Sequence, residues 1–173
     1  RTTTNSTSSD ITDYRADGAD QTANGLDRRF GAGQLDIHRS YHALAGGEQN
    51  SVEDQAAAAG MIGAAGFDYD PAFGGANGSN NTATYFLATT AGPTRLTASL
   101  AWNLAVDGGT AQRFDGSATL YDLDLQLFDV TNPGNWILVA SSASTADNTE
   151  NLWQLLDGGK DYALRVKRGA AQA

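Results

Sequence analysis

The chain has 173 residues, contains no cysteine, and carries 11 Lys plus Arg against 20 Asp plus Glu, a formal net charge of −9. This length is enough for one ordinary domain with a full core and a short additional piece. The negative charge argues against nucleic acid and anionic membrane surfaces as partners, and the absence of cysteine excludes disulfides, thiol nucleophiles and cysteine-ligated zinc.

The first 24 residues are dominated by Thr, Ser, Asp, Asn and Gly, which are too polar to bury much surface. We therefore expect loop or extended structure there. The stretch has no apolar signal-peptide core and no membrane span. Because it opens on Arg1 without such a signal, we expect that it is not the natural start of the protein.

A short helix is predicted within residues 25–47, GLDRRFGAGQLDIHRSYHALAGG. Asp36 can cap its N-terminus, because a side-chain oxygen at that position accepts a hydrogen bond from the first turn. The helix then begins at Ile37 and ends at the pair Gly46-Gly47, since glycine favours helix termination.

The Ala-rich run from Val52 to Ala65 has good helix propensity but is interrupted by Gly60 and Gly63. It is compatible with either a helix or an irregular linker. From Thr84 onward apolar residues alternate with polar ones, which is typical of half-buried strands separated by turns.

Two runs show this alternation most clearly. From Arg95 to Trp102 one face carries Leu96, Ala98, Leu100 and Trp102, and in LYDLDLQLFD the apolar face carries Tyr121, Leu123, Leu125 and Leu127. Further strands are predicted at Thr84–Ala88, Trp136–Ala140, Glu150–Leu156 and Tyr162–Lys167, with a short one at Phe67–Tyr69. Strands at this spacing without intervening helices predict a mainly β fold, an antiparallel jelly-roll-like β-sandwich preceded by a short helical and loop segment.

Asp122 and Asp124 are two residues apart in a predicted strand, which places both carboxylates on one face, roughly 7 Å apart at the backbone. Calcium suits such a pair because it takes about six to eight oxygen ligands. The other oxygens could come from backbone carbonyls or from Asp147, Asn148, Glu150, Asp107 and Asn103.

The residues alone slightly favour a different interpretation of the Asp122 and Asp124 pair, a solvated strand face or salt bridges to Arg95, Arg113 or Arg165. A glycosidase-type carboxylate pair is less well supported, since no aromatic-lined cleft can be argued from the neighbours.

His38 and His42 have the i, i+4 spacing of zinc-binding helices. HRSYH lacks the Glu of a metalloprotease motif, and the chain contains no other His or Cys to complete a tetrahedral site. Surface or packing roles are therefore favoured. Ser40 lies between the two, but nucleophile, base and acid crowded within about seven residues do not converge into a triad.

The segment GLDRRFGAGQLDIHRSYHAL resembles the closing segment of subtilisin-like serine proteases, in which a G-x-G-x-L/V-D/N pattern begins the last helix after the nucleophile. Gly31, Gly33, Leu35 and Asp36 match this pattern, whereas Ser40 stands where the family usually has Ala. The motifs LTASLAWN, LYDLDLQLFD and VASSASTADNTENLWQLLDGGKDYALRVKR, in this order, resemble the pre-peptidase or jelly-roll β-sandwich attached to the C-terminal side of many bacterial secreted proteases.

The resemblance implies three parts: residues 1–50 as the tail of a peptidase domain, residues 51–66 as a linker or helix, and residues 67–173 as the accessory sandwich. It also implies a secreted, bacterial protein. The catalytic Asp, His and Ser segments of the family are missing from the sequence, so we expect no enzymatic activity from this chain, whereas the parent protein is expected to be a serine endopeptidase.

Related sandwiches often bind calcium through the D-x-D strand and a later acidic loop. The resemblance thus favours Asp122, Asp124 and Glu150 as calcium ligands, with Asp147 and Asn148 as weaker choices.

The function implied is that of an accessory module that stabilises the protease or mediates contact with a protein or a surface. Its partners would be the parent catalytic domain and a protein substrate or surface polysaccharide. The alternative is a carbohydrate- or surface-binding module in which Trp136 or Trp153 stacks on sugar rings.

Overall fold

A computed structural model describes residues 3–4, 21–28, 30–54, 60–71, 73, 81–106, 108–110 and 116–169. Over these residues the fold is mainly β, with antiparallel sheets and one short helix that precedes the two main sheets, which confirms the predicted fold class. In chain order the elements are β1 (Thr3–Thr4), β2 (Gln34–Leu35), α1 (Ile37–Ala45), β3 (Val52–Glu53), β4 (Thr82–Ala88), β5 (Thr94–Ala101), β6 (Ala105–Val106), β7 (Ala118–Thr119), β8 (Leu123–Asp129), β9 (Ile137–Ser142), β10 (Thr149–Leu156) and β11 (Asp161–Arg168).

The two main layers are a five-stranded sheet and a two-stranded sheet. The larger one has the order β3-β4-β11-β8-β9, and β5 pairs with β10 to form the smaller one. β1 with β2 and β6 with β7 form short two-stranded sheets. Residues from both main layers build one core, so the layers pack face to face. Its buried members are Ala83, Leu125, Leu127, Leu152, Leu156, Tyr162 and Val166.

Strand β8 shows why the alternating pattern produces this core. Leu123, Leu125 and Leu127 are buried, while the intervening Asp124 and Gln126 are only half-buried. Successive side chains of a strand point to opposite faces, so a single register satisfies all five residues. Burial of each leucine contributes about 1.5 to 3 kcal/mol relative to exposure.

Helix α1 has the predicted bounds. Asp36 Oδ1 accepts a hydrogen bond from Arg39 N at 3.0 Å, and Gly46 at the other end donates its N–H to His42 O at 2.9 Å. None of the helices in the described part of the chain has the length and apolar character needed to cross a membrane.

Two segments differ from simple sequence expectations. Val52 and Glu53, within the Ala-rich region, form β3 and pair with β4 as an edge of the five-stranded sheet. Residues 55–59 of that region lie outside the described residues. Phe67–Tyr69 does not form a strand, and Phe67 makes one isolated bridge to Glu48.

Candidate functional site: the acidic corner of the sandwich

Glu150 is a carboxyl group buried completely inside the sandwich, near the start of β10. Its Oε2 accepts a hydrogen bond from Ser142 Oγ, and its Oε1 accepts one from Ser144 N at 2.6 Å. Burial raises the pKa of Glu150 to about 6, the two hydrogen bonds oppose that rise, and the carboxylates of Asp124 and Asp147 add to it. Glu150 therefore lies at the centre of a set of interacting acids.

The loop between β9 and β10 is tied to this carboxyl through Ser144. Ser144 Oγ donates to Asp147 Oδ2 at 2.6 Å, while the backbone of the same serine holds Glu150. Asn148 Nδ2 donates to Trp102 O at 2.9 Å, and Trp102 N donates to Asn148 O at 3.1 Å. Asp147 is thus held by a hydrogen bond within its own loop, and Asn148 by two hydrogen bonds to Trp102 immediately after β5.

Asp122 and Asp124 approach the same region from the start of β8. Asp122 Oδ1 is buried and has no hydrogen-bond partner among the described residues, and its Oδ2 lies so close to Gly169 that a Cβ there would overlap it. Burial raises the pKa of Asp124, the neighbouring Asp122 carboxylate raises it further, and Lys167 opposes both. Lys167 is the cross-strand partner of Asp124 on β11.

We call Asp122, Asp124, Asp147 and Glu150 the acidic corner. Charge interactions connect its members in sequence, from Asp122 to Asp124, from Asp124 to Glu150 and from Glu150 to Asp147. Over the described ranges, no three or more His, Cys, Asp or Glu side chains are grouped so as to hold a metal ion. The sequence-predicted acids share one region, but not as a compact cage.

The salt-bridge interpretation requires Asp122 or Asp124 to pair with an arginine. Among the described residues, neither carboxylate forms an ion pair. Arg165 donates to Gln126 Oε1 at 2.9 Å, and the guanidinium of Arg95 lies 4.6 Å from the ring centroid of Trp153. Asp107 and Arg113 lie outside the described residues.

The two tryptophans predicted to bind sugars are both half-buried and have protein neighbours. Trp136 contacts Phe86 edge to face at 5.9 Å and Phe128 at a tilt at 5.7 Å, measured between ring centroids. Trp153 has Arg95 over its ring in a cation–π contact. Each of the two indole rings thus has a neighbouring side chain against it.

The histidines of α1 are exposed, with His38 Nε2 and His42 Nε2 3.2 Å apart. Ser40 Oγ donates to Asp36 O at 2.9 Å, the backbone oxygen one turn earlier. The hydroxyl is thus bonded within the helix rather than to an imidazole.

A second acidic cluster was not singled out by the sequence. It lines a cleft of about 240 Å³ formed by Glu48, Asn50, Ser51, Glu53, Asp68, Tyr69 and Asp70. Burial raises the pKa of Glu53, with a hydrogen bond to Asp70 as the next cause, and Tyr85 donates its hydroxyl to Asp68 Oδ2 at 2.7 Å. These acids are scattered between residues 48 and 70, and no periodicity relates them, so only the folded chain reveals the cleft.

Comparison with protein-family models, curated proteins and solved structures finds no match to this chain.

Proposed function

We propose that this chain is the non-catalytic C-terminal accessory region of a secreted, subtilisin-like serine protease, in which the β-sandwich stabilises the enzyme or mediates contact with a protein or a surface. The proposal rests on the sequence resemblance and on one structural observation, the exposed apolar face of α1. The partner it names is the catalytic domain of the parent protease.

The apolar residues of α1 form a stripe along one side of the helix. Ile37, Tyr41 and Leu44 follow the i, i+4, i+7 spacing, yet they are 74%, 65% and 69% exposed. No residue of this helix is buried among the residues that the structure describes. Most helices of globular proteins gain their stability by packing such a stripe against another element. A partner that covers this face would supply the missing contact.

The sequence resemblance indicates which partner would cover the apolar face of α1. The G-x-G-x-L/V-D/N pattern that begins α1 is the one that begins the last helix of a subtilisin-like catalytic domain. Asp36, the last residue of this pattern, caps α1. We infer that α1 completes such a domain and that the sandwich, connected to it through β3, is thereby placed beside the protease.

The test is binding of the chain to a subtilisin-like catalytic domain that ends before its last helix and whose active site is blocked. We expect Ile37→Ser/Leu44→Ser to weaken binding at least about tenfold, since burying each side chain is worth about 1.5 to 3 kcal/mol. The matched control is His38→Ser/His42→Ser, which changes exposed residues on the neighbouring face of the same helix. Failure of the unaltered chain to bind, or equal binding by both variants, contradicts the proposal.

We further propose calcium as a structural ion of the acidic corner, with Asp122 and Asp124 as the main ligands and Glu150, Asp147 and Asn148 as additional candidates. The buried, unpartnered Oδ1 of Asp122 supports a cation there, because a buried carboxylate oxygen without a donor is costly. Two hydrogen bonds from Ser142 and Ser144 hold the Glu150 carboxyl in place, and it interacts with the charge of Asp124. Calcium would balance the mutual repulsion of these acids.

Carbohydrate binding by Trp136 or Trp153 remains the alternative function. Its signature is quenching of tryptophan fluorescence by a polysaccharide. The ring contacts of both residues with neighbouring side chains make it the less supported of the two proposals.

A further inference from the structure

The turn formed by residues 22–26 contacts the sandwich through buried polar atoms. Thr22 N donates to Leu26 O at 2.8 Å, and Gly25 N donates to Thr22 O at 3.0 Å, so the turn is closed by its own hydrogen bonds. Thr22 Oγ1 also accepts from Leu26 N at 3.0 Å. Asn24 near its tip is buried. The turn is therefore a preformed unit rather than a loose strand end.

This turn lies along the edge of β10 that is not paired with β5. Asn151 Nδ2 donates to Asn24 O at 3.0 Å, and Asn24 Nδ2 donates to Thr149 Oγ1 at 3.1 Å. Asn151 Oδ1 accepts from Ser99 Oγ at 2.8 Å, which orients the carboxamide so that its NH₂ faces the turn. Each partner of the contact thus also has hydrogen bonds of its own.

The close approach of the turn to β10 depends on Gly25. Its φ of 71° lies in the left-handed region, and a Cβ built there would overlap Asn151 O and come within 3.1 Å of Ser142 Oγ. Only glycine fits without displacing the turn. Ser142 Oγ accepts a hydrogen bond from Asn151 N at 3.2 Å and also donates one to Glu150. Ser142 therefore connects the site where the turn docks with the acidic corner.

We propose that residues 22–26 act as a latch, and that Ser142, Thr149 and Asn151 form the docking site on the sandwich that receives it. The latch covers an unpaired strand edge, as loops commonly do in β proteins. It holds the N-terminal region against the sandwich and restricts the positions open to α1. A docking element restricted in this way loses less entropy on binding. That consequence for α1 rests on the proposed protease function, whereas the latch itself does not.

Hydrogen exchange of the full chain, read by mass spectrometry, tests the latch. In Gly25→Ala the amides of residues 22–26 are expected to exchange roughly tenfold to a hundredfold faster, the effect of losing about two net hydrogen bonds. Amides of β8 and β11 keep their protection. The control is Gly31→Ala, because Gly31 also has a positive φ, 56°, but open space where its Cβ would lie. Unchanged exchange in Gly25→Ala, or an equal increase in Gly31→Ala, overturns the proposal.

A second variant changes the docking site and leaves the turn intact. Asn151→Asp keeps an acceptor for Ser99 but places a carboxylate oxygen against Asn24 O, so it is expected to release the same amides. If this variant unfolds, as judged by circular dichroism, Thr149→Val instead removes the hydroxyl that accepts from Asn24 Nδ2 and leaves the hydrogen bonds within the turn unchanged. Retained protection in the folded variant overturns the latch. No protease is present in these measurements, so a negative result contradicts the latch without contradicting the proposed protease function.

Discussion

Glu150 is a fully buried carboxyl group on β10, and its two oxygens accept hydrogen bonds from Ser142 and Ser144. Its inward orientation follows from β10, in which Leu152 and Leu156 on the same face are buried in the core. Two hydrogen bonds from Ser142 and Ser144 make this position tolerable, but they do not remove the cost of ionisation, and burial leaves the pKa raised to about 6.

The raised pKa of Glu150 predicts that stability falls as the pH rises. A folded-state pKa of about 6, above the ordinary 4.5, means that the folded protein binds the extra proton more tightly than the unfolded chain. The stabilisation is fully present below pH 4.5 and is lost as the pH passes 6, a decrease of about 2 kcal/mol. Urea unfolding between pH 4 and 7 in a chelating buffer measures it.

The control for this prediction is Glu150→Gln, which keeps an acceptor for Ser144 N and has no proton to lose. The difference in unfolding free energy between the variant and the unaltered chain should grow in favour of the variant from pH 4.5 to pH 6.5. A difference that is constant across this range contradicts the role assigned to Glu150.

Part of the acidic corner can be predicted from sequence and part cannot. The i, i+2 spacing of Asp122 and Asp124 predicts that their carboxylates lie near each other, and they do interact, although β8 begins at Leu123 and Asp122 lies one residue before it. No spacing rule relates Ser142 or Ser144 to Glu150, because their contact arises where the end of β9 meets the start of β10. The contact between Gly25 and Asn151 is even harder to predict from sequence, because the two residues are far apart in the chain.

A helix or strand can be predicted from sequence where residues close together in the chain determine its structure. Asp36 caps α1, which has the predicted bounds, and the leucines of β8 alternate as predicted. The predicted run is longer than the strand, because β8 begins at Leu123 and Tyr121, expected on the apolar face, is 48% exposed. β3 was not foreseen because two residues carry no periodicity and Val52 becomes a strand residue only by pairing with Thr84. Phe67 fails to start a strand because its single bridge, to Glu48, is not extended by further pairing.

The five-stranded sheet predicts opposite outcomes for two leucine substitutions on neighbouring strands. Leu127 on β8 is 0% exposed, whereas Leu138 on the edge strand β9 is 53% exposed. We expect Leu127→Ala to lower the unfolding free energy by about 2 to 5 kcal/mol, because it removes buried contacts and leaves a cavity. Leu138→Ala should change it by no more than about 0.5 kcal/mol, as surface substitutions usually do.

Chemical denaturation of the two leucine variants measures both values under the same conditions. Similar losses in the two would mean that β9 is covered on its outer side or that the sheet order is different. A small loss in Leu127→Ala would contradict the position of the core.

The whole molecule has a well-packed sandwich and an N-terminal region that contacts it by few groups. The two main layers share one core, whereas α1 buries none of its residues within the described structure. Stability is therefore expected to concentrate in the sandwich. The acidic corner lies within this stable part, where β8, β10 and the end of β11 come together, so a ligand bound there acts on global unfolding rather than on a loop.

Calcium bound at the acidic corner should raise the thermal unfolding midpoint of the whole chain. A ligand that binds only the folded state at a hundred times its Kd adds about 2.7 kcal/mol. For a chain of this size that corresponds to roughly 5 to 10 °C. Asp122→Asn/Asp124→Asn should lose the calcium-dependent rise. In a chelator the same variant should unfold at or above the midpoint of the unaltered chain, because it removes the repulsion between the two carboxylates.

The matched control for calcium is Asp68→Asn/Asp70→Asn, which removes two negative charges from the other acidic cluster and should retain the rise. Loss of the rise only in this control would place the ion in the cleft beside β3 instead of at the acidic corner. An identical midpoint with calcium and with chelator in the unaltered chain would mean that Asp122 and Asp124 bind no calcium. Their repulsion would then be a permanent cost, which Lys167 on the facing strand offsets only in part.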